Sequence, residues 1–315
     1  MIDKNLPPAI FLMGPTASGK TALAVEIAQN LNAEIISVDS ALVYREMNIG
    51  TAKPTMSERG GIKHHLIDIL DPVESFSTGM FRDKALQLMT EITEKGKIPL
   101  LTGGTMLYFN ILFKGLADLP EANEIIRKKL NEQAKEEGWA AMHKKLAEVD
   151  PISAARIHPN DPQRIQRALE VFEISGEPIS HWHVIAEQKQ IPFKKIKIVI
   201  APDDRKLLHD RIALRFHQML ELGFVDEVKK LFHRGDLTEK MPSVRAVGYR
   251  QIWSYLNGEY DYAKMIEKGI VATRQLAKRQ ITWLRRETDA EWFINHQENL
   301  SSRVIELLQS KINII

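Results

Sequence analysis

The chain has 315 residues, 44% of them apolar and 27% charged, with no cysteine and a formal net charge of +2. That length allows one large core with a smaller satellite domain, and the lack of cysteine excludes disulfides, cysteinyl zinc sites and thiol catalysis. No apolar run approaches the roughly 20 residues of a membrane span, and the first apolar stretch is too short for a signal peptide, so a cytoplasmic protein without a membrane partner is expected.

Ala9–Met13 ("AIFLM") reads as a buried strand, and after the run "GPTASGKT" a helix extends from Lys20 to about Leu31. Glu34–Val38 is a second strand, ending at Asp39, and His64–Ile69 a third. Thr78–Lys95 is helical and stops at Gly96. Ile98–Thr102 is another strand, again followed by glycines. This alternation argues for an α/β fold, a P-loop NTPase-like parallel sheet covered by helices. Over Leu119–Gln190 the strand signal vanishes. Leu119–Gly138 and His158–Gly176 read as helices, the second with Asp161 as N-cap, Pro162 in the first helical position and Gly176 at its end. Lys194–Pro202 returns to strand, helices dominate from Asp204 to Arg286, and "EWFIN" (Glu291–Asn295) precedes a last helix. The expected organisation is a core domain of residues 1–118 and 194–315 with a helical insertion over 119–193.

Charge is unevenly spread. From Lys194 to Arg286 there are 20 Lys/Arg and 11 Asp/Glu, an excess of +9 that leaves −7 for the rest of the chain. Such asymmetry suits one anion-binding surface. A solvated helical face is the plainer explanation.

Gly14 and Gly19 with Lys20 and Thr21 fill the pattern G-x-x-x-x-G-K-[ST] between a strand and a helix. Across Gly14, Pro15, Thr16, Ala17, Ser18 and Gly19 the backbone can curl around phosphate oxygens. Lys20 adds a mobile charge, and the Thr21 hydroxyl can hold Mg²⁺. The helix N-terminus contributes its partial positive charge. An ATPase or kinase also needs a strand ending in Asp to steer the metal. Ile98–Thr102 ends instead in "TGGT", and Asp39 lies inside "SVDSALVY". The loop therefore predicts a diphosphate-like ligand more firmly than ATP. The histidine pairs at His64–His65 and His181–His183 lack a suitably spaced carboxylate, so Mg²⁺ is the only metal expected.

Seven blocks, "GPTASGKT", "SVDSALVYREMNIGTAKPT", "HHLIDI", "GGTMLYFNILFKGLADLP", "HPNDPQRIQRALEVF", "VRAVGYRQIW" and "TRQLAKRQITWLR", follow in one order. Together they resemble the isopentenyl-tRNA transferase (tRNA dimethylallyltransferase) family over nearly the whole chain. The one visible departure is Ala246, where the family often has Cys. The resemblance implies transfer of a dimethylallyl group from dimethylallyl diphosphate to N6 of the adenosine 3′ of the anticodon, releasing diphosphate. It makes the Gly14–Thr21 loop the diphosphate site, with Arg215 as a second clamp, Asp39 as the base and Thr105 as a hydroxyl contact across the channel. It assigns tRNA contacts to Asp39, Ser40, Ala41, Leu42, Thr105 and Arg127, and to Gln163, Arg164, Ile165, Gln166 and Arg167. Arg245, Ala246, Val247, Gly248, Tyr249 and Arg250 follow, then Lys278, Arg279, Gln280, Ile281, Thr282, Trp283, Leu284 and Arg285. A monomer without a protein partner is expected.

Each residue also has a plainer reading. Asp39 can cap a turn, where Asp and Ser are favoured. Gln163 and Arg167, four apart, share one helix face that solvent alone could cover. At 100° per residue Arg274, Lys278 and Arg285 fall within about 40° of one another, a basic stripe suited to phosphates or to the protein's own carboxylates. On the residues alone, a nucleotide kinase, a prenyltransferase acting on free adenine nucleotides and a non-catalytic RNA-binding module stay open.

Overall fold

The computed structural model describes residues 6–115, 117, 119–187 and 191–312. The chain divides into two compact units, Met1–Phe109 with Pro192–Ile315, and Asn110–Ile191.

The first unit is built on a six-stranded sheet: β1 (Pro8–Met13), β2 (Ala33–Val38), β3 (His64–His65), β4 (Ile98–Gly103), β5 (Lys194–Ala201) and β6 (Glu291–Ile294). The order is β3-β2-β4-β1-β5-β6, and every neighbouring pair is parallel. Ala9–Met13 are fully buried, as a continuous apolar run on a central parallel strand should be. Its side chains alternate between faces. Ile10 and Leu12 join a cluster with Leu23, Ile27, Val304 and Leu308, whereas Phe11 meets Phe109 edge-on at 6.4 Å between ring centroids.

The third strand is shorter than the expected His64–Ile69. Leu66 and Asp68 adopt left-handed backbone angles of φ 61° and 57°, which end the ladder after His65. The chain instead turns along the segment after β2, with Asp68 N–H donating to Leu42 O at 3.1 Å and Ile69 N–H to Val43 O at 2.8 Å. The early helices are α1 (Lys20–Asn30), α2 (Thr78–Glu94), capped by Ser77 on Met80 N–H, and α3 (Met106–Lys114), which leads out of this unit.

The second unit is helical: α4 (Glu124–Glu137), α5 (Trp139–Val149), α6 (Pro151–Ala154), α7 (Pro162–Ser175) and α8 (Ile179–Glu187). Its core gathers Leu130, Met142, Leu146, Ile165 and Val171. Asp161 caps α7 by accepting from Arg164 N–H, Pro162 opens the helix and Gly176 closes it at φ 73°.

After β5 the chain adds α9 (Arg205–Glu221), α10 (Phe224–Phe232), α11 (Tyr249–Leu256) and α12 (Tyr262–Leu284), and α13 (Leu300–Ile312) follows β6. Helices α9 and α12 pack through Leu208, Ile212 and Ala277, with Ala17 of the glycine loop against the same cluster. Gly269 permits their close approach, since a Cβ there would stand 2.2 Å from the Phe216 ring.

Candidate active site and nucleic-acid interface

Strands β2, β4 and β1 are consecutive in the sheet, and chemistry-bearing residues follow the carboxyl end of each. Asp39 follows β2, Gly104 and Thr105 follow β4, and the glycine loop follows β1. The crevice beyond the carboxyl ends of parallel strands is where such folds bind ligands. The strand next in sequence to the loop is not its neighbour in space: β4 lies between β1 and β2, with Gly103 in register with both Met13 and Val38. A Cβ at Gly103 would lie 2.0 Å from Val38 O, so the close approach requires glycine.

The loop has the strained backbone its sequence implies. Ala17 sits at φ 61° and Gly19 at φ 85°, while a Cβ on Gly14 would meet Ile200 O at 2.2 Å. Ser18 Oγ is buried without a hydrogen-bond partner. Lys20 Nζ donates to Pro15 O at 2.8 Å. Burial, then the like charge of Arg215, push the Lys20 ammonium down to about 8, against an opposing pull from Asp39. Arg215, on α9, is likewise lowered by burial and supported by the carboxylates of Asp39 and Glu58. Two cations and one carboxylate thus share one electrostatic environment at the strand ends.

Asp39 does form the turn allowed by its plainer reading. Its Oδ1 accepts from Ala41 N–H at 2.8 Å and Leu42 N–H at 3.3 Å. Those bonds use one oxygen, and Oδ2 takes no hydrogen bond among the described residues. Thr105 N–H donates to Val38 O at 3.1 Å. Its Oγ1 accepts from Ser40 N–H at 3.1 Å and donates to Ser40 Oγ at 3.4 Å. The Asp39–Leu42 turn and the Gly103–Thr105 turn are therefore one hydrogen-bonded assembly.

Gln280, expected to meet RNA, is instead buried on the inner face of α12. Its Oε1 accepts from Thr16 N–H at 2.9 Å and its Nε2 donates to Gly104 O at 2.9 Å. Leu284 and Tyr249 are also buried, and the Tyr249 hydroxyl donates to Glu227 Oε1 at 2.6 Å. Arg274 departs from the expected stripe too. It is half-buried with Nε enclosed and unpartnered, and its charge acts on Asp210 of α9. The exposed face of α12 carries Lys278, Arg279 and Thr282, with Arg285 just beyond its end. Gln275, Lys278, Arg279, Thr282 and Trp283 line a shallow groove there, with Ile281 half-buried beside them. Arg245 and Arg250 are exposed, Ala246 and Val247 half-buried, and Gly248 turns at φ 91°.

In the helical unit, Gln163 and Arg164 are exposed, and Arg164 pairs with Asp161 at 3.2 Å. Ile165 belongs to the core. Arg127 and Arg167 converge on the fully buried carboxylate of Glu170 at 2.9 and 2.7 Å, and Arg167 also donates to Pro120 O. Gln166 donates to Arg127 O and Asn131 Oδ1. An enclosed carboxylate must be paired, so Arg127, Gln166 and Arg167 join helices within the unit. A lone buried Glu beside a basic helix face gave no sign of this in the sequence.

A family model described as IPP transferase matches residues 42–287. A tRNA dimethylallyltransferase of Methylococcus capsulatus is 54% identical over 312 residues, which cover 99% of this chain and all of the relative. The full-length tRNA isopentenylpyrophosphate transferase of Bacillus halodurans superposes with a TM-score of 0.72 at 39% identity, covering 97% of each chain. A eukaryotic dimethylallyltransferase acting on tRNA superposes at 0.84 with 26% identity, over 98% of this chain and 80% of that one.

Proposed function

The chain belongs to the IPP transferase family and is an enzyme that transfers a dimethylallyl group to tRNA; from that premise we propose how its residues perform the transfer. The donor is dimethylallyl diphosphate, its diphosphate seated in the Gly14–Thr21 loop. The acceptor is N6 of the adenosine just 3′ of the anticodon. The carrying observation is the adjacency of the phosphate loop, the Thr105 turn and Asp39 at three consecutive strand ends.

The allylic C–O bond breaks with its electron pair leaving on the diphosphate, and the adenine N6 forms the new bond to carbon. Lys20, Arg215 and the loop N–H groups meet the developing negative charge. Preorganised donors of that kind lower such a barrier most. The amine lone pair is delocalised into the ring, so N6 needs an acceptor for its proton. Asp39 Oδ2 accepts it, while Oδ1 keeps the carboxylate oriented through Ala41 and Leu42. Thr105 aligns the base. A stacked adenine cannot reach this crevice, so it is flipped out of the anticodon loop.

Thr21 is exposed in the first turn of α1, and no group of three His, Cys, Asp or Glu that could hold a metal occurs among the described residues. The exposed Thr21 hydroxyl beside a phosphate site suits Mg²⁺, which keeps several waters and leans on substrate phosphates. Thr21 would hold the ion, which when bound neutralises the leaving diphosphate.

RNA phosphates lie along Lys278, Arg279 and Arg285, with Arg245 and Arg250 adding charge. Gln163 and Arg164 contact RNA from the helical unit. Lys20, Asp39, Thr105 and Arg215 complete the reacting site without a residue from a second copy, which agrees with a monomer, and a tRNA acceptor agrees with a cytoplasmic enzyme. The test is incubation with Mg²⁺ and dimethylallyl diphosphate beside unmodified tRNA, AMP or ATP, reading diphosphate release and the mass of the product. Release with AMP alone, or phosphoryl transfer from ATP without prenyl donor, would overturn this reading.

A further inference from the structure

We propose that Gln280 is a positioning residue that fixes the spacing between the donor and acceptor halves of the active site. This rests on the transferase reading. Among the described residues its amide is the one side chain that bonds both halves, Thr16 N–H of the phosphate loop and Gly104 O beside Thr105, each at 2.9 Å. The amide orientation is forced, because a backbone N–H can only donate and a carbonyl can only accept. Gly104 is tailored to it, since a Cβ there would stand 2.4 Å from Gln280 Nε2. From Gly104 the chain continues to Thr105, which holds Val38 O and Ser40 on either side of Asp39. From Thr16 it continues through the loop to Lys20.

A group transfer needs its reacting atoms about 3–3.5 Å apart, and a misplacement near 1 Å can cost about 100-fold in rate. Gln280 touches neither diphosphate nor adenine in this scheme. Its removal therefore loosens the distance between two sites that each still bind. Methionine fills the same volume without either hydrogen bond. Glutamate, when ionised, keeps the bond from Thr16 N–H but faces Gly104 O with a repelling oxygen. When protonated it restores both bonds. Burial beside a carbonyl raises such a carboxyl towards neutral pH.

The experiment is steady-state kinetics with dimethylallyl diphosphate and unmodified tRNA, preceded by thermal melts of each variant. Wild-type turnover tests the transferase reading separately from the role of Gln280. Gln280→Met is expected to lower kcat about 10- to 100-fold with both KM values within about threefold. The kcat of Gln280→Glu relative to wild type is expected to climb as pH falls from about 8.5 to 6. Unchanged kcat in the methionine variant would overturn the proposal, as would a loss confined to KM or a pH-independent ratio for the glutamate variant.

Discussion

Tyr249 donates its hydroxyl to Glu227 across 2.6 Å, and the same carboxylate accepts the backbone N–H groups of Asn48, Ile49 and Gly50 at 2.9, 2.8 and 3.1 Å. Burial and the carboxylate together hold the Tyr249 phenol far above its usual range. The loop that follows the Asp39 turn is thus anchored to α10 and α11 by one acid. Glu227→Ala leaves four donors without their acceptor and should destabilise on the order of 3 kcal/mol, whereas Tyr249→Phe should cost about 1 kcal/mol. Urea denaturation of the two variants gives the comparison. Equal losses would show that the backbone N–H groups contribute nothing.

The proposed scheme gives Asp39 two tasks on its two oxygens, and a substitution can divide them. Asp39→Asn retains an oxygen for Ala41 and Leu42 N–H but has no lone pair basic enough to take the N6 proton. Turnover should fall roughly 10²- to 10⁴-fold with the melting temperature little changed. Asp39→Ala should lose both the rate and some stability. An asparagine variant working at the wild-type rate would reduce Asp39 to a turn residue.

The bends of the glycine loop, the α/β sheet and the α7 boundaries were legible because each follows from local chemistry. Glycines, a strand run and the Asp161–Pro162 start all announce themselves within a few residues. The same local reading extended the third strand to Ile69, because nothing in "LIDI" reveals left-handed angles imposed by pairing with the Asp39 loop. It also put Gln280 and Tyr249 on the RNA side. Helical periodicity separates faces, but which polar residue turns inward depends on partners 176 and 22 positions away. Arg127 and Arg167 were illegible for the same reason, since their partner Glu170 is identifiable only once α4 and α7 pack.

A diphosphate seated beside Lys20, as proposed, should bind with a dependence on pH. The Lys20 ammonium is depressed to about 8 in the free protein, and a bound diphosphate favours the charged form. Below pH 8 the charge is already present and affinity should be level with respect to this group. Above pH 8 a proton must be taken up on binding, so the dissociation constant should rise about tenfold per unit until the bound-state pKa is reached. Calorimetric titration of dimethylallyl diphosphate at pH 7.5, 8.5 and 9.5 reads this directly. Lys20→Met should bind weakly with a flat profile, and an equally steep one would assign the titration to another group.

At the opposite end of β2, Glu34 is nearly enclosed and meets His65 Nε2 at 2.8 Å and Lys97 Nζ at 2.9 Å. Burial opposes its ionisation, but the hydrogen bonds from Lys97 and His65 prevail and hold the carboxyl at about 2. Because the folded value lies below the unfolded one, the stabilisation is complete above about pH 4.5 and is lost as pH falls towards 2. Its size is on the order of 3 kcal/mol. Glu34→Gln should therefore be less stable than wild type at pH 7, and the gap should shrink by pH 3. A gap that stays constant across that range would detach Glu34 from the acid response.

The exposed face of α12 is where the tRNA backbone is proposed to lie. Lys278, Arg279 and Arg285 point to solvent, and none of them has a carboxylate ion-pair partner among the described residues. Gln280, on the inner face, is engaged with Thr16 and Gly104. Reversing Lys278 and Arg285 to Glu thus changes the surface without touching the phosphate loop. Each phosphate they neutralise releases counterions, so log affinity for tRNA falls linearly with log salt, by roughly 0.7 to 0.9 per contact. The double reversal should weaken tRNA binding at low salt and flatten that slope by about two contacts, while dimethylallyl diphosphate binds as before. Arg274, half-buried towards Asp210, should instead affect stability when replaced and leave the slope unchanged. Filter binding from 50 to 300 mM salt separates the two classes. If the reversed protein kept both its tRNA affinity and its slope, the face would be solvated surface, and the acceptor would have to be held by other residues.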